Sequence, residues 1–244
     1  SIFNKELSEN STLHAKIKYT KLVSKNFAEV IDLLGGAGYL DIDSYADSFD
    51  EKQNDLLNPL HIVGVGDILK YNFKVFSSVI EGFAQGQFKY NKIDFYAAAT
   101  ISRTSHQREG LFQNGGFTAS SLGKSKKISF TNYGAKAGGT YKFTGRHLFD
   151  VNAGFITKAP NVRNSFSNAR ENNNTVHNLA SEKVLSADVS YIFRNPIIQA
   201  KFTGYYTKIR MQQKFLFSLL MELVEIIPHL FKKFYQELTQ NIWV

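Results

Sequence analysis

Lys127 to Thr157 reads KISFTNYGAKAGGTYKFTGRHLFDVNAGFIT. Tyr133, Ala135, Ala137, Gly139, Tyr141 and Phe143 share one parity in it; Asn132, Gly134, Lys136, Gly138, Thr140 and Lys142 share the other. After Thr144-Gly145-Arg146, Phe149, Val151, Ala153 and Phe155 alternate with Asp150, Asn152 and Gly154. A period of two marks an extended chain with one apolar face and one wet face. The stretch therefore predicts two strands joined by a tight turn. Each exceeds the ~5–6 residues usual for a soluble strand and matches the ~9–11 that cross a bilayer at a tilt. The Tyr/Ala/Gly/Phe face is expected to meet lipid. Lys136, Lys142, Asp150 and Asn152 are expected to face a lumen, with the turn on the periplasmic side.

The pattern repeats outward from this hairpin. Leu13, Ala15, Ile17 and Tyr19 oppose His14, Lys16, Lys18 and Thr20. Ile80, Gly82, Ala84, Gly86, Phe88 and Tyr90 oppose Glu81, Gln85, Gln87 and Lys89, with Phe83 as the exception. Phe95, Ala97, Ala99 and Ile101 follow in phase, as do Leu185, Ala187, Val189, Tyr191 and Phe193, then Ala200, Phe202, Gly204 and Tyr206. Seven strands are expected, near 12–22, 76–90, 92–104, 128–143, 147–157, 184–194 and 197–209. Their tight turns fall near 91, 145 and 195. A propeller blade would need four short strands per repeat. Here each repeat holds two long strands, one tight turn and one long loop, the layout of a transmembrane barrel.

The fold class predicted is all-β, an antiparallel transmembrane β-barrel segment spanning residues 1–210. A sheet in lipid must pair every backbone group, so it must close. Seven strands are odd where single-chain bacterial barrels are even, so a piece of a larger barrel is expected. The opening SIFNKELSENS has no basic stretch followed by an apolar one. It thus lacks signal-peptide character, and a missing N-terminus is expected. Ile2-Phe3 reads as the end of an earlier strand, and Leu7 to Ser11 as a turn.

Residues 211–244 break the grammar. The last of the 17 glycines is Gly204, and Phe215 to Ile227 is nearly all apolar. Leu219, Leu220, Leu223, Ile226 and Ile227 fit a helical face, which Pro228 would end. The tail is read either as an amphipathic helix or as the product of a shifted reading frame.

Three long polar stretches are expected as outer loops: 21–75, with a possible strand near Phe27–Leu34, then Thr104–Lys126 and Lys158–Glu182. Loops on a rigid scaffold commonly carry recognition. The candidate ligand contacts are Arg103, His106, Arg108, Phe112 and Phe117, with Arg163, Phe166, Arg170 and His177. Arginine pairs with anions in two-pronged fashion, and aromatics stack on flat or sugar-like ligands.

Other chemistry is not indicated. The six histidines are dispersed and cysteine is absent, so no catalytic constellation, metal site or cofactor is expected. Gly64-Val65-Gly66-Asp67 is half of a dinucleotide fingerprint and reads as a plain loop. The net charge of +8 is scattered and comes without a recognition motif, so nucleic acid is not an expected partner.

The chain resembles the C-terminal half of the barrel in TonB-dependent outer-membrane receptors of Bacteroidetes type. The resemblance rests on Glu29-Val30-Ile31-Asp32-Leu33-Leu34-Gly35-Gly36 and Gly154-Phe155-Ile156-Thr157-Lys158-Ala159-Pro160. It rests also on Ser181-Glu182-Lys183-Val184 before Ala187-Asp188-Val189-Ser190-Tyr191, and on Gly204-Tyr205-Tyr206-Thr207-Lys208. It covers about residues 10–210. It implies a 22-stranded barrel filled by a plug. Such a receptor imports a small nutrient, such as an iron chelate carried by a siderophore, a vitamin or a glycan. The TonB–ExbB–ExbD system drives the uptake. The plug, the TonB-binding segment and the early strands have no counterpart in this sequence, so transport by this chain alone is not expected. The alternatives are a passive porin-like channel and a soluble carbohydrate-binding β-sheet protein.

Overall fold

The computed structural model of the chain describes residues 2–210 and the strand at Leu220–Val224. These residues form β1 (Ile2–Ser8), β2 (Ser11–Glu29), β3 (Tyr39–Leu40), β4 (Ile62–Val63), β5 (Ile68–Lys89) and β6 (Ile93–Gly110). There follow β7 (Gly123–Lys124), β8 (Ile128–Lys142), β9 (His147–Lys158), β10 (Glu182–Arg194), β11 (Gln199–Ile209) and β12 (Leu220–Val224). Among the described residues there is no α-helix. One antiparallel sheet runs β1-β2-β5-β6-β8-β9-β10-β11-β12, with β7 added beside β6; β3 and β4 form a separate two-residue ladder. The large sheet is open among the described residues.

All seven expected strands are present and in phase, and three are longer than expected by five residues or more. β2 runs on to Glu29, β5 starts at Ile68, and β6 runs on to Gly110. The first long loop therefore shrinks to residues 30–67, and the expected strand near Phe27–Leu34 is only the end of β2. Arg103, His106 and Arg108 lie on β6 rather than in a loop. At the start, Leu7 and Ser8 belong to β1, so the expected turn there narrows to Glu9-Asn10. Of the tail, Leu220–Val224 is a strand paired to β11, which corrects the helical reading for those five residues. Leu219, Ile226, Ile227 and the remaining tail positions lie outside the described residues.

The outward parity of every long strand is apolar and the ladder pairs it into one band. Along β6, Ile93 to Arg103 alternates exposed and half-buried without a break, and the exposed set is Ile93, Phe95, Ala97, Ala99, Ile101 and Arg103. Tyr19 is 65% exposed, Ile101 61%, Tyr133 55% and Val189 51%. This is the inverse of a soluble sheet, which buries its apolar face and wets the polar one. Among the described residues the buried apolar side chains are Val30, Val63, Phe73, Val75 and Phe166. They lie at the loop end and not behind the band.

The band has a defined structure. Near the tight turns it is aromatic: Phe88 stacks on Phe95 at 4.7 Å, and Phe149 meets Tyr191 at 5.3 Å. Toward the loops a second row begins with Tyr19, Ile80, Ile101, Tyr133, Phe155, Leu185 and Tyr206. Between the rows the cross-strand partners are small, as in Ala84↔Ala99, Ala97↔Ala137, Ala137↔Ala153 and Ala153↔Ala187. Tyr133 to Tyr141 covers about 26 Å of extended chain at ~3.3 Å per residue.

The band runs obliquely to the hydrogen bonds. Following partners sideways from β2 gives Ala15↔Ala84↔Ala99↔Ala135↔Phe155↔Leu185↔Lys208. The row starts in mid-band and ends beyond it. In β2 the upper aromatic, Tyr19, stands four residues past this row, while in β11 Tyr206 stands two short of it. The edge thus shifts about one residue per strand, or ~3.4 Å for every ~4.8 Å of spacing, a tilt of about 35°. Strands that wrap a barrel tilt by ~35–45°.

Candidate functional site

The inward parity carries a polar ladder near the turn end. Asn152 on β9 is its centre. Its Oδ1 accepts from the Tyr96 hydroxyl at 2.9 Å, and its Nδ2 donates to Asp150 at 2.8 Å and Asp188 at 2.9 Å. Asp150 also accepts from Thr140 Oγ1 at 2.8 Å. Lys136 stands over the Tyr96 ring at 5.6 Å, and Lys142 pairs with Asp94 at 2.7 Å. Four strands contribute, because period-2 geometry brings Tyr96, Thr140, Asn152 and Asp188 to one side. Gly138 leaves room for it: a Cβ there would collide with Asn152 Oδ1 and the Tyr96 ring. Asn152→Ala is expected to cost ~1–3 kcal/mol by stranding the Tyr96 hydroxyl and the Asp188 carboxylate and removing one of two donors to Asp150. A lowered urea midpoint with an unchanged denaturant slope checks it; an unchanged midpoint refutes the ladder's structural role.

The inward face at the other end is capped by loops, and three side chains hold the cap. Asp41, buried, takes Asn54 Nδ2 at 2.7 Å and the backbone N–H of Lys70 at 3.0 Å. This ties loop 30–67 to β5 where Lys70 adopts φ 61°. His106 lies past the apolar band at the loop end, buried, and its Nε2 meets Pro160 O at 3.2 Å. Burial lowers its pKa, opposed by that carbonyl contact. Arg108, 1% exposed, is the main fastener. Its Nε donates to Ala169 O at 2.6 Å, and its Nη1 to Ser121 O at 2.8 Å and Asn173 Oδ1 at 2.7 Å. Its backbone N–H donates to Ser125 Oγ at 2.9 Å, and the guanidinium lies over Phe73 at 5.3 Å. No carboxylate is among these partners. Burial pushes its pKa down to about 10, so it remains a cation at neutral pH. One side chain thus clasps loops 111–127 and 159–181 over the inward face.

The loops also bind one another, through Leu56 N to Gln113 O at 2.7 Å, Gly115 N to Gln53 O at 2.9 Å and Asn173 N to Ser120 O at 2.6 Å. Between them opens a cleft of about 490 Å³. Tyr39, Tyr45, Tyr71 and Phe117 supply aromatic surface, and Asp43, Glu51, Lys70, Arg170 and Glu171 supply charge. The Arg170 guanidinium stacks over Tyr71 at 5.0 Å. Rings and charged groups around an open cleft suit a ligand that presents both a flat face and polar edges.

The candidate ligand contacts divide sharply. Phe117 and Arg170 line the cleft. Arg108 and Phe166 are buried in the cap, and His106 is tied to Pro160. Arg103 is exposed on the outward face. Arg163 and His177 are exposed and Phe112 half-buried, and none of the three lines the cleft. The sequence reading missed Tyr39, Tyr45 and Tyr71; aromatics clustered around an acidic loop were the available signal. Among the described residues no group of three or more acidic or histidine side chains could hold a metal ion. A scan against family models finds no match to this chain, and a search of curated proteins finds none either.

Proposed function

We propose that the chain forms a sector of the wall of an outer-membrane transport barrel, of the TonB-dependent receptor type its motifs resemble. The observation that carries this reading is the inverted sheet. Its outward face is a tilted apolar band edged by aromatics and exposed, while its inward face is hydrogen-bonded, charged and capped by loops. A soluble sheet of this area would cover the band, because contiguous exposed apolar patches above a few hundred Å² are rare on soluble monomers. In lipid the same band is solvated. The open edges add a requirement: unpaired edge groups in hydrocarbon cost several kcal/mol each, so further strands must complete the wall. The tight turns then face the periplasm and loops 30–67, 111–127 and 159–181 face outward. The cleft among those loops is where a small nutrient would be met, whether an iron chelate, a vitamin or a glycan. By itself this sector does not transport.

The test is fractionation of cells expressing the chain. Recovery in the outer-membrane fraction, with gel migration that changes on heating, is the expected result. Material found wholly in the soluble fraction and folding cooperatively in buffer overturns the reading.

A further inference from the structure

The outward face does not end at the upper aromatic row; it turns basic. Arg103 follows Ile101 at the next outward position of β6, and Lys21 follows Tyr19 on β2. Lys183, two residues from Leu185, and Lys208, two from Tyr206, occupy the corresponding places on β10 and β11. Lys127 and Lys124 stand past this edge, toward the loops, Lys124 level with Glu109 of β6, and all six cations are exposed. Across the ladder this edge follows the same oblique line as the band. Among the described residues the one ion pair is Lys142 with Asp94, on the other face. Glu109, further toward the loops, is opposite Lys124 and Lys74.

The collar includes a built depression. A groove of about 290 Å³ is lined by Lys21, Lys124 and Lys127 together with Ser78, Ser105 and Tyr19. Ser78 Oγ and Ser105 Oγ, both of lining residues, lie 2.8 Å apart. Three lysines and two hydroxyls lining one groove suit an oxyanion, and the position selects which one. Long cationic side chains at the edge of an apolar surface bury their stems and lift their charges to headgroup depth. Basic residues there draw anionic headgroups by roughly 1 kcal/mol each.

We propose that this collar binds the phosphate of anionic lipid headgroups in the loop-side leaflet, with the Lys21–Lys124–Lys127 groove as its strongest seat. The proposal rests on the membrane-wall reading and adds a lipid partner to it. The collar would fix the depth of the wall and favour membranes whose loop-side leaflet is anionic.

The test is flotation of the full chain with vesicles of phosphatidylcholine, with and without phosphatidylglycerol. Phosphatidylglycerol is expected to raise the bound fraction at least tenfold at low salt. K21Q/K124Q/K127Q is expected to remove most of that gain and K21R/K124R/K127R to keep it. The inward-face control K136Q/K201Q should retain it. Heat-dependent gel migration reports whether each variant folds. Equal flotation with both lipids, or an unaffected triple glutamine variant, overturns the proposal while leaving the wall reading intact. Loss of the effect on adding excess inorganic phosphate, with flotation on neutral lipid unchanged, identifies a free-phosphate site and also overturns it. Flotation with neither vesicle removes both readings.

Discussion

Arg108→Met releases two loops at once. The methionine keeps an unbranched apolar stem but loses the guanidinium over Phe73 and every side-chain donor that holds Ala169, Ser121 and Asn173. Hydrogen bonds from a charged donor are worth ~1.5–3 kcal/mol each and do not add simply, so roughly 3 kcal/mol of cap stability should go. Under conditions where opening is fast relative to cleavage, proteolysis follows the open population. Cleavage within residues 111–127 and 159–181 should then accelerate about 100-fold, since ~1.4 kcal/mol is a factor of ten. The ladder around Asn152, at the far end of the strands, should keep its stability. Arg108→Lys retains the charge but not the fork, and should fall between. Cleavage at the rate of the unmodified chain would mean that the loops hold themselves.

The second large effect separates lipid from water. Ala137 sits in the middle of the band between Ala97 and Ala153, exposed. Ala137→Arg there should cost ~2–4 kcal/mol if the band lies in a bilayer, because a cation at mid-depth must leave water. On a sheet in buffer the same exposed substitution should stay within about ±0.5 kcal/mol. Ser186→Arg is the matched control: exposed, on the inward parity of β10, and near-neutral on either account. The measurement is the urea midpoint of each variant refolded into vesicles. Equal midpoints for Ala137→Arg and Ser186→Arg would place the band in water.

The alternation of Leu13, Ala15, Ile17 and Tyr19, or of Phe149, Val151 and Ala153, makes the strands legible in the sequence, because outward and inward positions differ in polarity. That difference vanishes past Arg103. The segment Thr104-Ser105-His106-Gln107-Arg108 is polar on both faces, so a period of two carries no hydrophobic signal there. The ladder nevertheless continues through Gly110, since backbone pairing does not depend on which side chains alternate. Before Phe76 the cause differs: Tyr71, Phe73 and Val75 put the apolar parity on the inward side, opposite to the band, so the pattern changes phase within β5. The cap was illegible for another cause. Arg108 reaches Asn173 across 65 positions and Asp41 reaches Lys70 across 29, and no local pattern announces such pairs. Phe117 and Arg170 have the chemistry of ligand contacts, and the loops bring them to one cleft. Arg108 and Phe166 have the same chemistry but are buried in the cap, where Arg108 holds the loops.

The fastening at Arg108 has an implication for how such loops can diversify. Its side chain donates to Ala169, Arg170 and Ser121 through their main-chain carbonyls alone, and among the hydrogen-bond acceptors of its guanidinium only Asn173 contributes a side chain. A main-chain oxygen is supplied by any amino acid. Substitutions at 169 and 170 can therefore accumulate without loosening the clasp, provided the backbone keeps its path; Ser121 is buried and its hydroxyl also holds Asn114 N. Arg170 lies over Tyr71 at the cleft while its carbonyl serves the clasp. A lineage could exchange that side chain for another ligand and inherit the same loop.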